Sequence, residues 1–284
     1  MAVAPPTVLT IAGSDSGGGA GLQADLRTLF ACGVHGLVAV TAVTVQNTLG
    51  VTGYTEIPAE VVAAQVEAVA TDIGVGAAKT GMLASAAIIE AVAGACDRTG
   101  IGRAIPFVVD PVAASMHGQQ LLADSALDAL RGSLFPRATL ITPNLDEVRL
   151  LTGIEVRDHA GQRKAAEALS EFGSQWVLVK GGHLWDDPGC LDVLYDGSSF
   201  IELPGPRYDV KHTHGSGDTL ASAIASRLAR GEDVPTAVRF GKEFVVRSVA
   251  SAYPLGAGVG PVSPLWRLGF GSLEDMGPDN RIEP

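Results

Sequence analysis

Long apolar runs are missing from this chain: no uninterrupted stretch reaches the roughly 18 residues that a membrane-spanning helix needs. Positive charge is also scarce. Lys and Arg number 20 against 31 Asp and Glu, a net charge of −11. That balance argues against nucleic acid or an anionic membrane as a main partner, because both select basic surface. A phosphate ligand stays allowed, since backbone N–H groups can hold one locally inside an acidic protein. The three cysteines, Cys32, Cys96 and Cys190, are far apart and have no metal spacing. They exclude a disulfide scaffold and fit reduced thiols. The first residues lack the basic start and apolar core of a secretory signal, so the expectation is a cytoplasmic protein. Gly-Lys-Ser/Thr is absent after the first glycine-rich loop, and the dinucleotide fingerprint is absent with it. Aromatics make up only 5%.

What is abundant is Ala, Val and Gly, in a chain that is 46% hydrophobic over 284 residues. This composition suits close-packed helices on a buried parallel sheet. Short apolar runs at Val8–Ala12, Leu37–Val45, Ala77–Met82, Phe107–Val112, Thr139–Thr142 and Trp176–Val179 read as strands. Between them lie helical stretches. Leu22, Leu26, Leu29 and Phe30 recur at helical spacing, as do Val62, Val66 and Val69 after Pro58, and further helices are expected near 85–97, 124–133, 160–172, 217–230 and 234–252. Alternation at this rhythm predicts one α/β domain with a mostly parallel central sheet and helices on both faces. The turn Asp196–Ser199 between two strand-like runs, from Cys190 and to Leu203, predicts an antiparallel edge hairpin. The core spans about 8–265, and 266–284 reads as a C-terminal tail.

One helix start and three strand ends carry the chemistry. Thr213-His214-Gly215-Ser216-Gly217-Asp218 directly precedes an apolar-periodic helix. Glycines allow close backbone approach, and a helix start presents unpaired N–H groups to an anion. An acid there suits proton removal from a nucleophile, and equally suits a helix cap. Asn144 and Glu147 lie three residues apart after another strand, spaced to share a helix face, where they suit either water-mediated Mg²⁺ or a capping box. Lys180-Gly181-Gly182-His183 offers a cation and pliant backbone to nucleotide phosphates. Gln46 closes the second strand with an amide that can pair with an aminopyrimidine edge. Ala113–Gln120 is the candidate for a mobile cover.

Together these residues resemble the ribokinase-like superfamily and, within it, the hydroxymethylpyrimidine/phosphomethylpyrimidine kinases of thiamine biosynthesis. The resemblance rests on Ile11 to Asp25, Thr44 to Thr48, Lys79 to Leu83, Val109 to Val112, Thr142 to Asn144 and Thr213 to Thr219, and runs over nearly the whole chain. It implies a three-layer sandwich, ATP and Mg²⁺ as cofactors, and two successive phosphorylations of a hydroxymethylpyrimidine, to the monophosphate and then the diphosphate. Related kinases commonly form homodimers.

The resemblance places the pyrimidine among Gly13, Asp15, Ala20, Gln46, Met82 and Val112. ATP would meet Asn144, Lys180, Gly182, His183, Thr213, Gly215 and Gly217, with Mg²⁺ near Asp110 and Glu147. Asp218 would be the catalytic acid/base, with Gly215, Ser216, Gly217 and Lys180 around the transferred phosphate. Many members that make the diphosphate carry Cys at the position of Asp218, whereas Asp is usual in the wider superfamily. A pyridoxal kinase on the same scaffold is therefore the alternative, and a nucleotide-binding regulator without activity is the non-enzyme one.

Overall fold

The computed structural model describes residues 3–113, 120–182, 184 and 189–269. His117, His183, most of the Ala113–Gln120 segment and the tail from 270 lie outside these residues.

Among the described residues nine strands form one sheet: β1 (Thr7–Ser14), β2 (His35–Asn47), β3 (Gly50–Glu56), β4 (Ala77–Thr80), β5 (Phe107–Val109), β6 (Leu140–Ile141), β7 (Trp176–Val179), β8 (Asp192–Tyr195) and β9 (Phe200–Leu203). Their order is β3-β2-β1-β4-β5-β6-β7-β8-β9, parallel from β2 through β7. The expected β8–β9 hairpin is present at one edge and is antiparallel, as is the β7–β8 pair.

The α-helices of the described residues that cover the sheet are α1 (Gly21–Ala31), α2 (Ala59–Asp72), α3 (Ala86–Thr99), α4 (Asp124–Ala129), α5 (Leu145–Thr152), α6 (His159–Ser170), α7 (Ser216–Leu228) and α8 (Val234–Ala250). Strand alternation divides the core into two layers. Leu9, Ile11, Phe107, Val109, Val177 and Val179 face the layer of α2 to α6. Val8, Val108, Leu178 and Leu194 face α1, α7 and α8. The chain is thus the three-layer sandwich expected, with a sheet buried on both faces at its centre.

Two features depart from the sequence reading. Strand β3 was not foreseen, because nearly all its residues are exposed and no apolar alternation marks it; it pairs antiparallel with β2 beyond the core. In α1, Leu22 and Leu29 point inward as expected, but Leu26 is 39% and Phe30 71% exposed. The inward face carries Asp25 and Thr28 instead, both fully buried.

The strand order turns at β1, which has β2 on one side and β4 on the other. Ligands of open α/β sheets bind beyond the carboxyl ends of the strands at such a switch point. The ends of β1, β4, β5 and β7 deliver Gly13, Gly81, Asp110 and Lys180 to that crevice.

Candidate active site

Helix α7 begins over the switch point. Gly215 precedes it with φ of 77°, and a Cβ there would overlap the carbonyl oxygen of Gly19, so only glycine lets the two loops meet. Ser216, Gly217 and Asp218 form the first turn, whose leading N–H groups have no helical acceptor. Asp218 Oδ2 accepts from Gly21 N at 3.1 Å, and Oδ1 lies 3.4 Å from Lys79 Nζ. Its side chain is 15% exposed, so the carboxylate reaches the crevice while most of it is enclosed.

A second cluster stands beside this turn. Lys180 Nζ is 3.3 Å from Asp110 Oδ1, and a Cβ on Gly217 would lie 3.3 Å from Asp110 Oδ2 and 3.6 Å from Lys180 Nζ. Burial works against the Lys180 charge, but Asp110 and Glu147 outweigh it and hold the ammonium protonated. Glu147 is buried, and its carboxylate accepts from Asn144 N at 2.8 Å and from Ala113 N at 3.3 Å. Asn144 Oδ1 accepts in return from Glu147 N at 2.9 Å, so the pair forms the capping box of α5. Burial pushes the Glu147 carboxyl up; Lys180 pulls it back, and Asp110 adds to the rise.

These donors fit a divalent cation in one way. Among the described residues no group of three or more His, Cys, Asp or Glu is arranged to cage a metal. Two close, mutually repelling carboxylates, one with both oxygens already bonded to amides, suit Mg²⁺ that keeps most of its waters and is shared with phosphates.

The third cluster lies over the Ser14–Gly21 loop. Asp15 is 4% exposed and accepts from Gly17 N at 2.7 Å and from Gly19 N and Ala20 N at 2.9 Å, folding the loop around itself. The Gln46 amide lies 3.1 Å from His214 Nε2 and 3.1 Å from Thr44 Oγ1. His214 Nε2 is also 3.4 Å from Asp15 Oδ2, and the ring covers Gly19. Burial would raise the Asp15 carboxyl, but the His214 contact and the loop amides hold it below its ordinary value. Met82 lies against Gly13, where a Cβ would be 3.5 Å from Sδ. Val112 has φ of 42°, unusual for a β-branched residue, just after Asp110.

The sequence-derived candidates therefore gather in three adjoining clusters, joined by Gly19, Gly215 and Gly217. Gly182 lies farther along the loop after β7, where its carbonyl accepts from Arg207 at 2.8 Å. Thr213 accepts from Ser216 N at 3.2 Å and shapes the turn into α7. The Gly256–Pro264 stretch clasps the β2–β3 turn: Gly258 N and Val259 N both bond Thr48. His212 Nδ1 accepts from Gly260 N at 2.9 Å within that clasp.

Sequence reasoning assigned no part to Lys79 or Asp25. Both are wholly buried, and Lys79 Nζ lies 2.8 Å from Asp25 Oδ1. A Lys inside an apolar strand was the available signal; the inward place of Asp25 on α1 had none, since the apolar stripe runs through Leu26 and Phe30.

A family model described as phosphomethylpyrimidine kinase matches residues 15–263. The chain belongs to the phosphomethylpyrimidine kinase family. It is 62% identical over 264 residues to a hydroxymethylpyrimidine/phosphomethylpyrimidine kinase of Mycobacterium tuberculosis, covering 93% of this chain and 95% of that one. The solved structure of Bacillus subtilis pyridoxal kinase with ADP superimposes with a TM-score of 0.86 at 34% identity, covering 94% of this chain and all of that one. Staphylococcus aureus pyridoxal kinase with AMP-PCP and pyridoxal gives 0.82, again at 34% identity, covering 99% and 97%. Family membership makes the chain a kinase on a ribokinase-like scaffold.

Proposed function

We propose that this protein uses ATP to phosphorylate 4-amino-5-hydroxymethyl-2-methylpyrimidine to its monophosphate and then to the diphosphate, a supply step of thiamine biosynthesis. The observation that carries the reading is Asp218, a partly enclosed carboxylate in the first turn of α7, at the sheet's switch point and beside the Lys180–Asp110 pair. Family and relatives point to the same substrate.

Phosphoryl transfer asks a protein mainly for positioning and charge neutralisation. The α7 amides and Lys180 take the transferred phosphate, and Gln46 with the Asp15-folded loop orients the ring. Asp110 and Glu147 would hold Mg²⁺ through water, and the ion would neutralise phosphate charge. In the first step the hydroxymethyl oxygen attacks the γ-phosphorus, its proton passes to Asp218, and ADP departs. The second nucleophile is a phosphate monoester with a second pKa near 6, already largely dianionic at neutral pH. It needs no base.

Asp218→Asn should therefore slow the alcohol step about 10²-fold or more while leaving the second step far less affected. Rates of monophosphate and diphosphate formation, measured separately, decide it. Equal losses would refute the role of Asp218 as base.

One observation favours a second reading: the two superimposed enzymes above are pyridoxal kinases. Turnover of pyridoxal exceeding that of the pyrimidine, without diphosphate product, would replace the first reading. The protein is also proposed to act in the cytoplasm as a homodimer. Val43 and Val45, two apart on β2 and so on one face of the β2–β3 arm, are each about half exposed or more, an apolar surface suited to a second copy. Val45→Lys should shift the sedimenting species from dimer to monomer; an unchanged dimer would move the interface elsewhere.

A further inference from the structure

Beneath Asp218 lies a buried ion pair that the reaction as described above does not use. Lys79 on β4 and Asp25 on α1 have no exposed side-chain surface. Lys79 Nζ is 2.8 Å from Asp25 Oδ1, 3.0 Å from Oδ2 and 3.4 Å from Asp218 Oδ1, so its contacts divide between the two carboxylates. Asp25 is saturated: Thr10 Oγ1 donates to Oδ2 at 2.6 Å and Ser222 Oγ to Oδ1 at 2.7 Å. The four residues come from β1, α1, β4 and α7, the elements that meet at the switch point.

We propose that Lys79, anchored by Asp25, is a positioning residue for the alcohol step: it holds one oxygen of Asp218 while Gly21 N holds the other, fixing the carboxylate where the substrate hydroxyl arrives. The proposal rests on the reading of Asp218 as the base.

Stability does not explain the pair. An ion pair removed from water is often matched or bettered by apolar residues of similar volume, so its presence under an active carboxylate calls for a directional reason. The direction is visible in the geometry. Asp25, held by Thr10 and Ser222, fixes Lys79, and Lys79 faces a single oxygen of Asp218. Gly81 leaves the adjoining side open: a Cβ there would sit 3.0 Å from Ala12 Cβ, 3.4 Å from Lys79 Nζ and 3.6 Å from Asp218 Oδ1. Burial disfavours charge on both partners, yet Asp25 and Asp218 hold Lys79 protonated, so the ammonium remains a donor at working pH.

Removing Lys79 alone would strand the Asp25 charge and threaten folding. The test therefore replaces both, Asp25→Asn with Lys79→Met, and compares this double variant with Asp218→Asn and with the triple variant. Measured for each are kcat and KM of the alcohol step, kcat of the phosphate step, and the urea midpoint. The double variant should fold with a near-parental midpoint, lose about 10²-fold in kcat of the alcohol step and keep its KM, as expected for a reacting group displaced by about 1 Å. The triple variant should be no slower than Asp218→Asn alone, because the pair acts only through Asp218.

Parental kcat in the folded double variant would overturn the proposal. So would losses that multiply in the triple variant, or a double variant slowed equally in both steps. A double variant that does not fold would overturn it too, since the pair would then be structural. If Asp218→Asn itself keeps the parental alcohol step, the reading of Asp218 fails first, and that outcome is distinct from a failure of Lys79.

Discussion

Gly215→Ala tests whether the close meeting of two loops, rather than any one side chain, sets the phosphate site. Gly215 has φ of 77°, and an added Cβ would run into Gly19 O. The left-handed backbone alone costs an L-residue about 1–2 kcal/mol. The overlap must then be relieved by movement on one side. If the Gly19–Ala20 loop gives way, the amides that Asp15 collects move with it, and His214 loses its seat over Gly19. If the start of α7 gives way, Gly217 and Asp218 move relative to Lys180 and Lys79. A displacement of about 1 Å at reacting groups costs about 10²-fold in rate. Both phosphorylation steps should fall together, unlike the step-selective effect of Asp218→Asn, because both need the same phosphate site.

Gly231→Ala is the control. Its φ is 82°, but a Cβ there meets nothing within 4 Å, and it lies beyond the far end of α7. It should show the backbone cost in urea denaturation and keep full activity. Parental rates in folded Gly215→Ala, or equal rate losses in the two variants, would refute the reasoning.

Gln46→Ala should raise the KM for the pyrimidine about tenfold, the worth of one neutral hydrogen bond, with the KM for ATP unchanged in steady-state assays. Lys242→Met strands Asp192, whose carboxylate takes Lys242 Nζ at 2.7 Å and Gly181 N at 2.8 Å. Breaking this nearly buried pair should cost about 3 kcal/mol in urea denaturation and raise the KM for ATP; adding Asp192→Asn should restore most of the stability. Arg137 beside Asp97 holds that carboxyl below its ordinary value. The stability it lends is present above the unfolded pKa of about 4 and is lost as pH falls through the lower folded value. The stability gap between parent and Asp97→Asn, read from urea midpoints, should therefore narrow below pH 4 and stay constant from pH 6 to 8.

Much of the molecule was legible before any coordinates. Apolar runs marked the parallel strands β1, β2, β4, β5, β6 and β7 because a strand buried on both faces must be apolar throughout. Asn144 and Glu147 announced a helix start, and they form its capping box. A glycine run before a helix singled out Asp218, a Gly-Gly turn at a strand end Lys180 and the close of the second strand Gln46, since local backbone needs are written locally. β3 left no such mark: an exposed strand is stabilised only by the edge it joins, so its residues are free of pattern.

The limit falls at long-range polar contacts. Asp25 and Lys79 stood inside recognisable motif runs, yet nothing in the spacing of 54 residues says that they meet. On α1, the apolar stripe through Leu26 and Phe30 was a better-looking inner face than the one that folding buries. That choice was made by partners on β1, β4 and α7, which together offer Asp25 four donor contacts in the dry centre of the fold. Sequence alone determined the parallel strands, the helix starts and the place of the Asp218 carboxylate at one of them, because each depends on neighbours along the chain. Tertiary structure decided what holds that carboxylate, because a buried charge is placed by whatever the fold brings within about 3 Å of it.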